Sequence, residues 1–204
     1  MQDTENTDFK IPNDLKKCVE FHGHLCPGLV YGYLVAKAAM NLLELKRSKD
    51  EEVVAISEND SCAVDALQVL LGTSIGKGNL ILKDYGKNVY TVLNRKSKTA
   101  YRFSRKTTYR YEGQPTDEFV RLDAAISSGA ATEKEKHRHK MLKSADLLRK
   151  PFDDVFSTQQ TDCVMPPYAP LARSVACAKC GEMTMLTKMI EAGDGKHLCI
   201  PCAS

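Results

Sequence analysis

The sequence predicts an α+β fold, in which helices pack against a mixed or antiparallel sheet, followed by a small cysteine-rich domain at the C-terminal end. Three observations lead to this prediction. Apolar residues recur at helical spacing over residues 28–45, and alternating patterns over 88–105 indicate paired strands. A stretch with several prolines then separates this core from two closely spaced cysteine pairs. We therefore expect a core domain at residues 1–165, and a linker with a second domain at 166–204.

The composition is that of an ordinary globular protein, with 43% hydrophobic and 27% charged residues over 204 positions. A net charge of +3 is too small to indicate nucleic-acid binding by itself. No apolar run reaches the ~18 residues that a membrane-spanning helix needs, and the polar start "MQDTENTDFKIPND" is unlike a secretory signal. We expect a cytoplasmic protein with no membrane contact, whose eight cysteines are thiols or metal ligands rather than disulfides.

The first predicted elements are two helices joined by a short turn. Asp14 to about His22 reads as a short helix, which Gly23 interrupts. Pro27 suits the first turn of the next helix, because its missing N–H is not needed there. That second helix is predicted from Gly28 to about Leu45, from an apolar stripe formed by Leu29, Tyr33, Ala36, Met40 and Leu43.

The remaining elements follow from local signals. Strands are predicted in 52–57, 79–86 and 88–105, and helices in 63–72, 116–128 and 132–150. Gly72 closes the first of these helices, Thr116 caps the second, and Pro151 ends the third. His137 and His139 lie two positions apart on that last helix and point to different faces, so we expect both to be solvated.

The cysteine-rich end carries a specific metal signal. Two Cys-x-x-Cys pairs, with 18 residues between them, can close a tetrahedron around zinc. A segment of about 35 residues buries too little apolar surface to fold alone, so a metal would supply the missing stability. All four cysteines fit the site, and His197 is not needed. The predicted zinc ligands are Cys177, Cys180, Cys199 and Cys202.

A second constellation lies in the core. The stretch "FHGHLCPG" places His22, His24 and Cys26 within five positions, and Cys62 follows a strand and a turn. Both cysteines open predicted helices, where a helix N-terminus favours the thiolate. The four residues could therefore converge on one borderline-soft divalent metal such as zinc. The alternatives are that Cys62 is a small core residue and that His24 caps the helix.

Other polar residues have weaker claims. Asp60 or Asp65 could orient a ligating histidine, and Cys18 is expected to pack in the core. The segment "GTSIGKGN" fails the phosphate-loop pattern in its glycine spacing and in the residue after its lysine, so a tight turn is the preferred interpretation. If the core metal keeps an open position, we expect Asp60, Asp65 and Lys77 to line a cleft beside it.

The motifs together resemble the FmdE family, which takes its name from formylmethanofuran dehydrogenase. The matching segments are "FHGHLCPG" at 21–28, "DSCAVDALQVLLGTSIGKGNL" at 60–80 and the terminal "CAKCGE…GKHLCIPC", within a resemblance that spans about residues 14–202. The resemblance implies an α/β core that binds a metal through His22, His24, Cys26 and Cys62, and a C-terminal zinc ribbon or treble-clef-like finger. It also implies a link to the operon of the enzyme that interconverts carbon dioxide and formylmethanofuran.

One position departs from the family pattern, and three functions stay open. The family commonly has cysteine after the glycine at position 72, where this chain has Thr73. The resemblance favours a zinc-binding accessory protein with a partner in an oxidoreductase complex. An open zinc site would instead indicate a stand-alone metalloenzyme. A nucleic-acid-binding regulator would use the finger and the basic strand region that carries Tyr101, Phe103, Tyr109 and Tyr111, but a strand with one buried face is preferred there.

The long second helix also suggests an assembly state. Its apolar positions cover more of its circumference than one core stripe requires, because Tyr31, Leu34, Val35, Ala38 and Leu42 add to the main stripe. A surplus apolar face of this kind is often covered by another protomer, and two-fold dimers are the commonest outcome. We therefore expect a homodimer.

Overall fold

A computed structural model describes residues 10–106, 109–162, 164–193 and 195–204. The chain divides into two compact units, Met1–Pro166 and Pro167–Ser204, which are described separately below. No helix within the described residues is long and apolar enough to cross a membrane.

The first unit contains six helices and one sheet among its described residues. The helices are α1 (Asn13–His22), α2 (Pro27–Leu42), α3 (Ala63–Leu71), α4 (Thr116–Ser127), α5 (Glu133–Arg149) and α6 (Phe152–Val155). The strands are β1 (Val53–Ser57), β2 (Leu80–Leu82), β3 (Val89–Asn94), β4 (Thr99–Arg105) and β5 (Phe156–Thr161). The predicted α+β class is confirmed.

The five strands form one mixed sheet in the order β2-β1-β3-β4-β5. β1 runs parallel to β2, with Ala55 opposite Leu80, and all other neighbours are antiparallel. The central strands β1 and β3 are almost entirely buried, as their continuous apolar runs predict. The edge strand β5, "FSTQQT", buries only Phe156 fully and was not foreseen, because its polar composition carries no strand signal.

Helices α1, α2 and α3 pack together through the main core, whose fully buried side chains include Leu15, Leu29, Val35 and Leu67. Cys18 belongs to this core as well and is fully buried, as expected. The closest approach is between α2 and α3 at Gly32, where an added β-carbon would lie 2.0 Å from the carbonyl oxygen of Ala63. A side chain of any size is therefore excluded at this position.

Helix ends follow the local sequence with one exception. Gly72 ends α3 in the left-handed conformation, at φ +72°, and donates its N–H to the carbonyl of Gln68. Thr132 and Glu135 form a capping box at the start of α5. The expectation that Thr116 caps α4 is wrong: Thr116 is the first helical residue, and its hydroxyl donates to the carbonyl of Gly113.

Most of the surplus apolar face of α2 is covered within the chain. Val35 is fully buried, and the ring of Tyr31 meets that of Phe156 edge-on with centroids 6.0 Å apart. Leu42, at the C-terminal end of α2, is the large apolar residue of this face that stays exposed, at 46%. The homodimer remains a prediction, and the observation that motivated it is much weakened.

The solvated state expected for His139 is wrong, whereas His137 is exposed as expected. His139 is buried, stacks on the ring of Phe119 at 4.7 Å, and has its Nε2 3.0 Å from Asp123 Oδ1. Burial lowers the pKa of His139, and the hydrogen bond with Asp123 opposes this only in part. The face of α5 that packs on α4 therefore holds a histidine that is favoured in its neutral form.

The aromatic residues of the basic region are used inside the fold. Phe103 is fully buried, Tyr109 donates its hydroxyl to Asp146, and Tyr111 stacks on Phe119 with ring centroids 3.8 Å apart. Because base stacking needs exposed ring faces, this arrangement favours the strand with one buried face over a nucleic-acid surface.

The second unit consists of two small hairpins and a short helix. Its elements are β6 (Ser174–Ala176), β7 (Met183–Met185), a 3₁₀ turn (Leu186–Lys188), β8 (Met189–Glu191), β9 (His197–Cys199) and α7 (Ile200–Ala203). β6 pairs with β7 and β8 with β9, both antiparallel. Of the described residues in this unit only Cys177 and Cys199 are buried, so there is little apolar core to hold it together.

Replacing Gly32 by alanine should destabilise the first unit. Alanine favours a helix over glycine by about 1 kcal/mol, but its β-carbon would overlap the Ala63 carbonyl and force α2 from α3. Overpacking of this kind typically costs about 1–3 kcal/mol, so we expect a lower urea midpoint. The matched control is Gly76→Ala, where the added carbon meets nothing within 4 Å. Equal midpoints for both variants would contradict the close approach.

His139 should make the stability of the first unit depend on pH. Its pKa is lower in the folded than in the unfolded state, so the unfolded state binds more protons below about pH 6.5 and stability falls as pH falls. We expect the difference in unfolding free energy between wild type and His139→Gln to shrink between pH 7.5 and 5.5. The exposed neighbour variant His137→Gln should show no such change. A difference that is constant over this range would count against the buried neutral histidine.

Candidate metal centres

The turn between α1 and α2 gathers three side chains that can ligate a metal. His22 is the last residue of α1, and Cys26 directly precedes α2. Between them Gly23 adopts φ +92° and donates its N–H to the carbonyl of Val19, so the chain leaves α1 through a left-handed glycine. One ligand atom from each of His22, His24 and Cys26 lies within 4.8 Å of the other two. This group is called the core cluster below.

Asp65 of α3 orients the first histidine of the core cluster. Its Oδ2 lies 2.7 Å from Nδ1 of His22, and its other oxygen accepts a hydrogen bond of 3.0 Å from Gln68 Nε2. With Nδ1 as the donor, Nε2 carries the lone pair, and that atom lies 3.7 Å from Cys26 Sγ. A carboxylate behind a ligating histidine is a common feature of metal sites. Of the two carboxylates considered from the sequence, Asp65 takes this position.

The thiol of Cys26 is held in a largely apolar environment. Its side chain is buried and its sulfur accepts a hydrogen bond of 3.4 Å from the N–H of Leu29. Burial raises the pKa of Cys26, and this outweighs the backbone N–H groups of Leu29 and Gly28 at the helix start. The expectation that the helix terminus favours the thiolate is therefore wrong for Cys26. A bound divalent cation would provide the stabilisation that the surroundings lack.

Cys62 lies next to the core cluster but is not one of its three mutually close ligand atoms. It directly precedes α3, and its side chain makes no capping hydrogen bond. An added β-carbon at Gly28 would lie 3.4 Å from Cys62 Sγ and 3.8 Å from Cys26 Sγ, so the two sulfurs flank the same glycine. Ligation by Cys62 stays a prediction.

His24 faces a helix that the sequence did not connect with this site. Desolvation lowers the pKa of His24, and the nearby groups His22, Lys140 and His137 lower it further. The last two belong to α5, which packs against α2. Their charge favours the neutral imidazole, which is the form that binds metals. The only sequence signal was the high charge of α5, which by itself indicates a solvated helix.

A cleft of about 360 Å³ adjoins the core cluster at His22 and Cys62. Asp60 and Asp65 line it, as expected. The expectation that Lys77 lines it is wrong. The Lys77 ammonium donates to the carbonyls of Gly72 and Asp50, so it binds exposed carbonyls near the end of α3.

The second unit brings all four predicted cysteines together. The ligand atoms of Cys177, Cys180, Cys199 and Cys202 lie within 4.8 Å of one another, and this group is called the finger cluster. Cys177 and Cys180 lie on the turn between β6 and β7, and Cys199 and Cys202 lie where β9 passes into α7. His197 is not one of the four: its Nδ1 lies 3.2 Å from the carbonyl oxygen of Gly195.

Backbone N–H groups prepare the finger cluster for a cation. The N–H groups of Cys180, Cys199 and Lys179 lower the pKa of Cys177 to about 6, so this sulfur is readily ionised near neutral pH. The neighbouring sulfurs Cys199 and Cys180 raise the pKa of Cys202 to about 12. Four sulfurs that cannot all ionise beside one another, yet are held within one coordination radius, form a set of ligands that a divalent metal would stabilise.

Comparison with known proteins places the core cluster in a family context. Residues 21–158 match the family described as "FmdE, Molybdenum formylmethanofuran dehydrogenase operon". This range contains all three residues of the core cluster, together with Cys62 and Asp65.

Two individual proteins are similar to the chain. A "Probable S-adenosyl-L-methionine-binding protein" of Archaeoglobus fulgidus is 26% identical over 204 residues, which are 97% of this chain and 54% of that protein. The chain thus spans about half the length of that curated relative. The crystal structure of an FmdE-like protein of tungsten formylmethanofuran dehydrogenase from Syntrophus aciditrophicus superposes with a TM-score of 0.56 at 20% identity, covering 93% of this chain and 90% of that one. This second likeness concerns the fold alone.

Replacing Cys199 by serine should remove a metal from the second unit without affecting the first. Cys199 is a buried member of the finger cluster, and the unit has little other core. We expect one equivalent less of bound metal by elemental analysis, and loss of amide protection confined to residues 174–203.

The matched control for this experiment is His197→Gln, two residues away on the same strand but outside the four sulfurs. It should keep the metal and the amide protection. Unchanged metal content in Cys199→Ser would show that the four cysteines do not act as one ligand set.

Proposed function

This chain belongs to the FmdE family, and on that premise we propose that it is a zinc-binding accessory protein of formylmethanofuran or related one-carbon metabolism. The observation that carries the proposal is the core cluster: three nitrogen and sulfur ligand atoms within 4.8 Å, one of them on a histidine oriented by Asp65. Family membership adds the association with the operon of a formylmethanofuran dehydrogenase.

The chemistry of the ligands supports zinc in both clusters. Imidazole and thiolate are the common protein ligands of zinc, which prefers four of them in tetrahedral geometry. The finger cluster offers four sulfurs and therefore fits a closed, structural site. The core cluster offers two imidazoles and one thiol, so that zinc bound there would have a fourth position for Cys62 or for an exogenous ligand. The metals named for the family's enzymes, molybdenum and tungsten, are not needed to account for these ligands.

A protein partner in an oxidoreductase complex follows from the accessory role, and the exposed polar positions of α5 offer a surface for such contact. Homodimer formation is also proposed, without a defined interface. The reduced thiols of both clusters support a reducing compartment, which we take to be the cytoplasm. S-adenosylmethionine binding is not transferred from the Archaeoglobus protein, because about half of that protein has no counterpart in this chain.

A second candidate function is a stand-alone zinc enzyme. It is favoured by the incomplete ligand set and by the cleft that opens beside it. Zinc with one open position lowers the pKa of bound water to about 7 and so supplies a nucleophile at neutral pH. Because Asp65 is engaged by His22, the carboxylate left to act as a base in the cleft is Asp60. Whether Cys62 completes the coordination separates the two functions: four protein ligands support the accessory role, and three support the enzyme.

Metal analysis of the full-length chain tests the core site. We expect about two equivalents of zinc for the wild type and about one for either His24→Gln or Cys26→Ser, since each substitution removes one of only three clustered ligands. The control variant His137→Gln lies outside the cluster and should retain about two. If the wild type binds a single equivalent, and Cys199→Ser abolishes it, the core site does not exist.

The Cys62→Ser variant, substituted with cobalt, then distinguishes the two functions. Cobalt in place of zinc shows a sulfur-to-metal charge-transfer band whose intensity follows the number of bound thiolates. A decrease in this band for Cys62→Ser supports four protein ligands, and an unchanged band supports the open site.

A further inference from the structure

We infer that the cleft beside the core cluster binds a small organic ligand with an apolar body of several carbons and one metal-binding head group, a thiolate or a carboxylate. This inference rests on the proposed metal at the core cluster. It goes further in assigning a chemical class of ligand and the surface that selects it.

The walls of the cleft are apolar. They are formed mainly by Val64 of α3, Ile75 of the following loop, and Leu80 and Leu82 of β2. Two of these are held in contact with solvent: Ile75 is 74% exposed and Leu82 is 48% exposed. Large apolar side chains that line a concave surface and remain in water are the usual mark of a binding site for an apolar group.

The hydroxyl groups at the base of the cleft are already used within the protein. Ser57 donates its hydroxyl to the carbonyl of Asn59 at 2.6 Å, and Ser61 donates its hydroxyl to Asn59 Oδ1 at 2.7 Å. Asp60 adds a carboxylate that would repel an anionic body. The cleft therefore has little capacity to recognise a polar body by hydrogen bonds, and apolar contact is its main source of affinity.

The metal-binding end of the cleft sets the head group. His22 and Cys62 form that end, so a ligand lying on the apolar wall points its head toward the core cluster. A divalent cation held by two neutral imidazoles and one thiolate keeps one positive charge. A monoanionic donor neutralises it. Thiolates and carboxylates are both established donors to zinc.

The size of the cleft limits the body of the ligand. At ~30 Å³ of liquid volume per water, about 360 Å³ corresponds to roughly a dozen waters. A body of about four to eight carbons would displace most of them. The larger groove at α1 and α3 has no member of the core cluster among its lining residues. The cavity at Tyr31 and Arg105 is lined by charged side chains, of which Lys150 and Glu112 pair with each other.

The test uses the full-length chain with cobalt in the core cluster, and two probe series, straight-chain alkanethiols and straight-chain alkanoates of two to eight carbons. The cobalt spectrum reports binding of the head group. Each methylene that enters the cleft should tighten binding about fourfold, corresponding to ~0.8 kcal/mol per buried CH₂, until the wall is covered. Comparing the two series at equal length identifies the preferred head group.

Two variants locate the body of the ligand. Leu82→Ser should reduce the gain per methylene while leaving the cobalt spectrum of the ligand-free protein unchanged. Leu42→Ser is the matched control, because Leu42 is nearly as exposed, at 46% against 48%, but lies on α2 and outside the cleft. The control should retain the full gain per methylene.

The outcomes separate this inference from the proposed function. Cobalt binding without any dependence on chain length, or with the same dependence in Leu82→Ser, overturns the inference and leaves the metal site standing. Failure of the core cluster to bind cobalt overturns both.

Discussion

The absence of a side chain at Gly32 controls how close α2 lies to α3, and much of the candidate core site depends on that distance. An added carbon there would lie 2.0 Å from the carbonyl oxygen of Ala63. Cys26 precedes α2 and Cys62 precedes α3, so close contact of the two helices also brings the two cysteines to either side of Gly28. Gly28 lies one helical turn before Gly32, which places both glycines on the same face. Two glycines on one face thus set the separation of the two sulfurs.

The ligand end of the site is fixed from a third direction by α1. His22 ends that helix, and its hydrogen bond to Asp65 joins α1 to α3 across the turn that carries His24. The polar side chains of this region are thus held by partners that are themselves in regular elements, which keeps their geometry independent of a mobile loop. Burial meanwhile raises the pKa of Cys26 and desolvation lowers that of His24. Both shifts favour the uncharged form, so a cation would be the main charge at this site.

Sequence reasoning succeeded where the signal is local and failed where it depends on tertiary contacts. The turn at Gly23, the end of α3 at Gly72 and the four clustered cysteines of the second unit follow from residue type and spacing. The edge strand β5 has almost no apolar alternation, because most of it faces solvent. His139 is buried only because α4 packs on its face of α5, which the polar composition of α5 does not reveal. The proximity of α5 to His24 depends on the same packing.

Charge explains why ligand exchange belongs to one cluster and structural support to the other. Four thiolates around a divalent zinc carry a net charge of −2, which backbone N–H groups such as those directed at Cys177 can stabilise, and no coordination position remains. Two imidazoles and one thiolate leave a net charge of +1 and one position free. An anionic ligand satisfies both requirements at once, whereas Cys62 can do so only if its sulfur moves into the coordination sphere. The apolar cleft lies at the end of the site where such a ligand would enter. The same local composition that makes the finger cluster inert therefore makes the core cluster the place where binding of a small molecule would change the state of the protein.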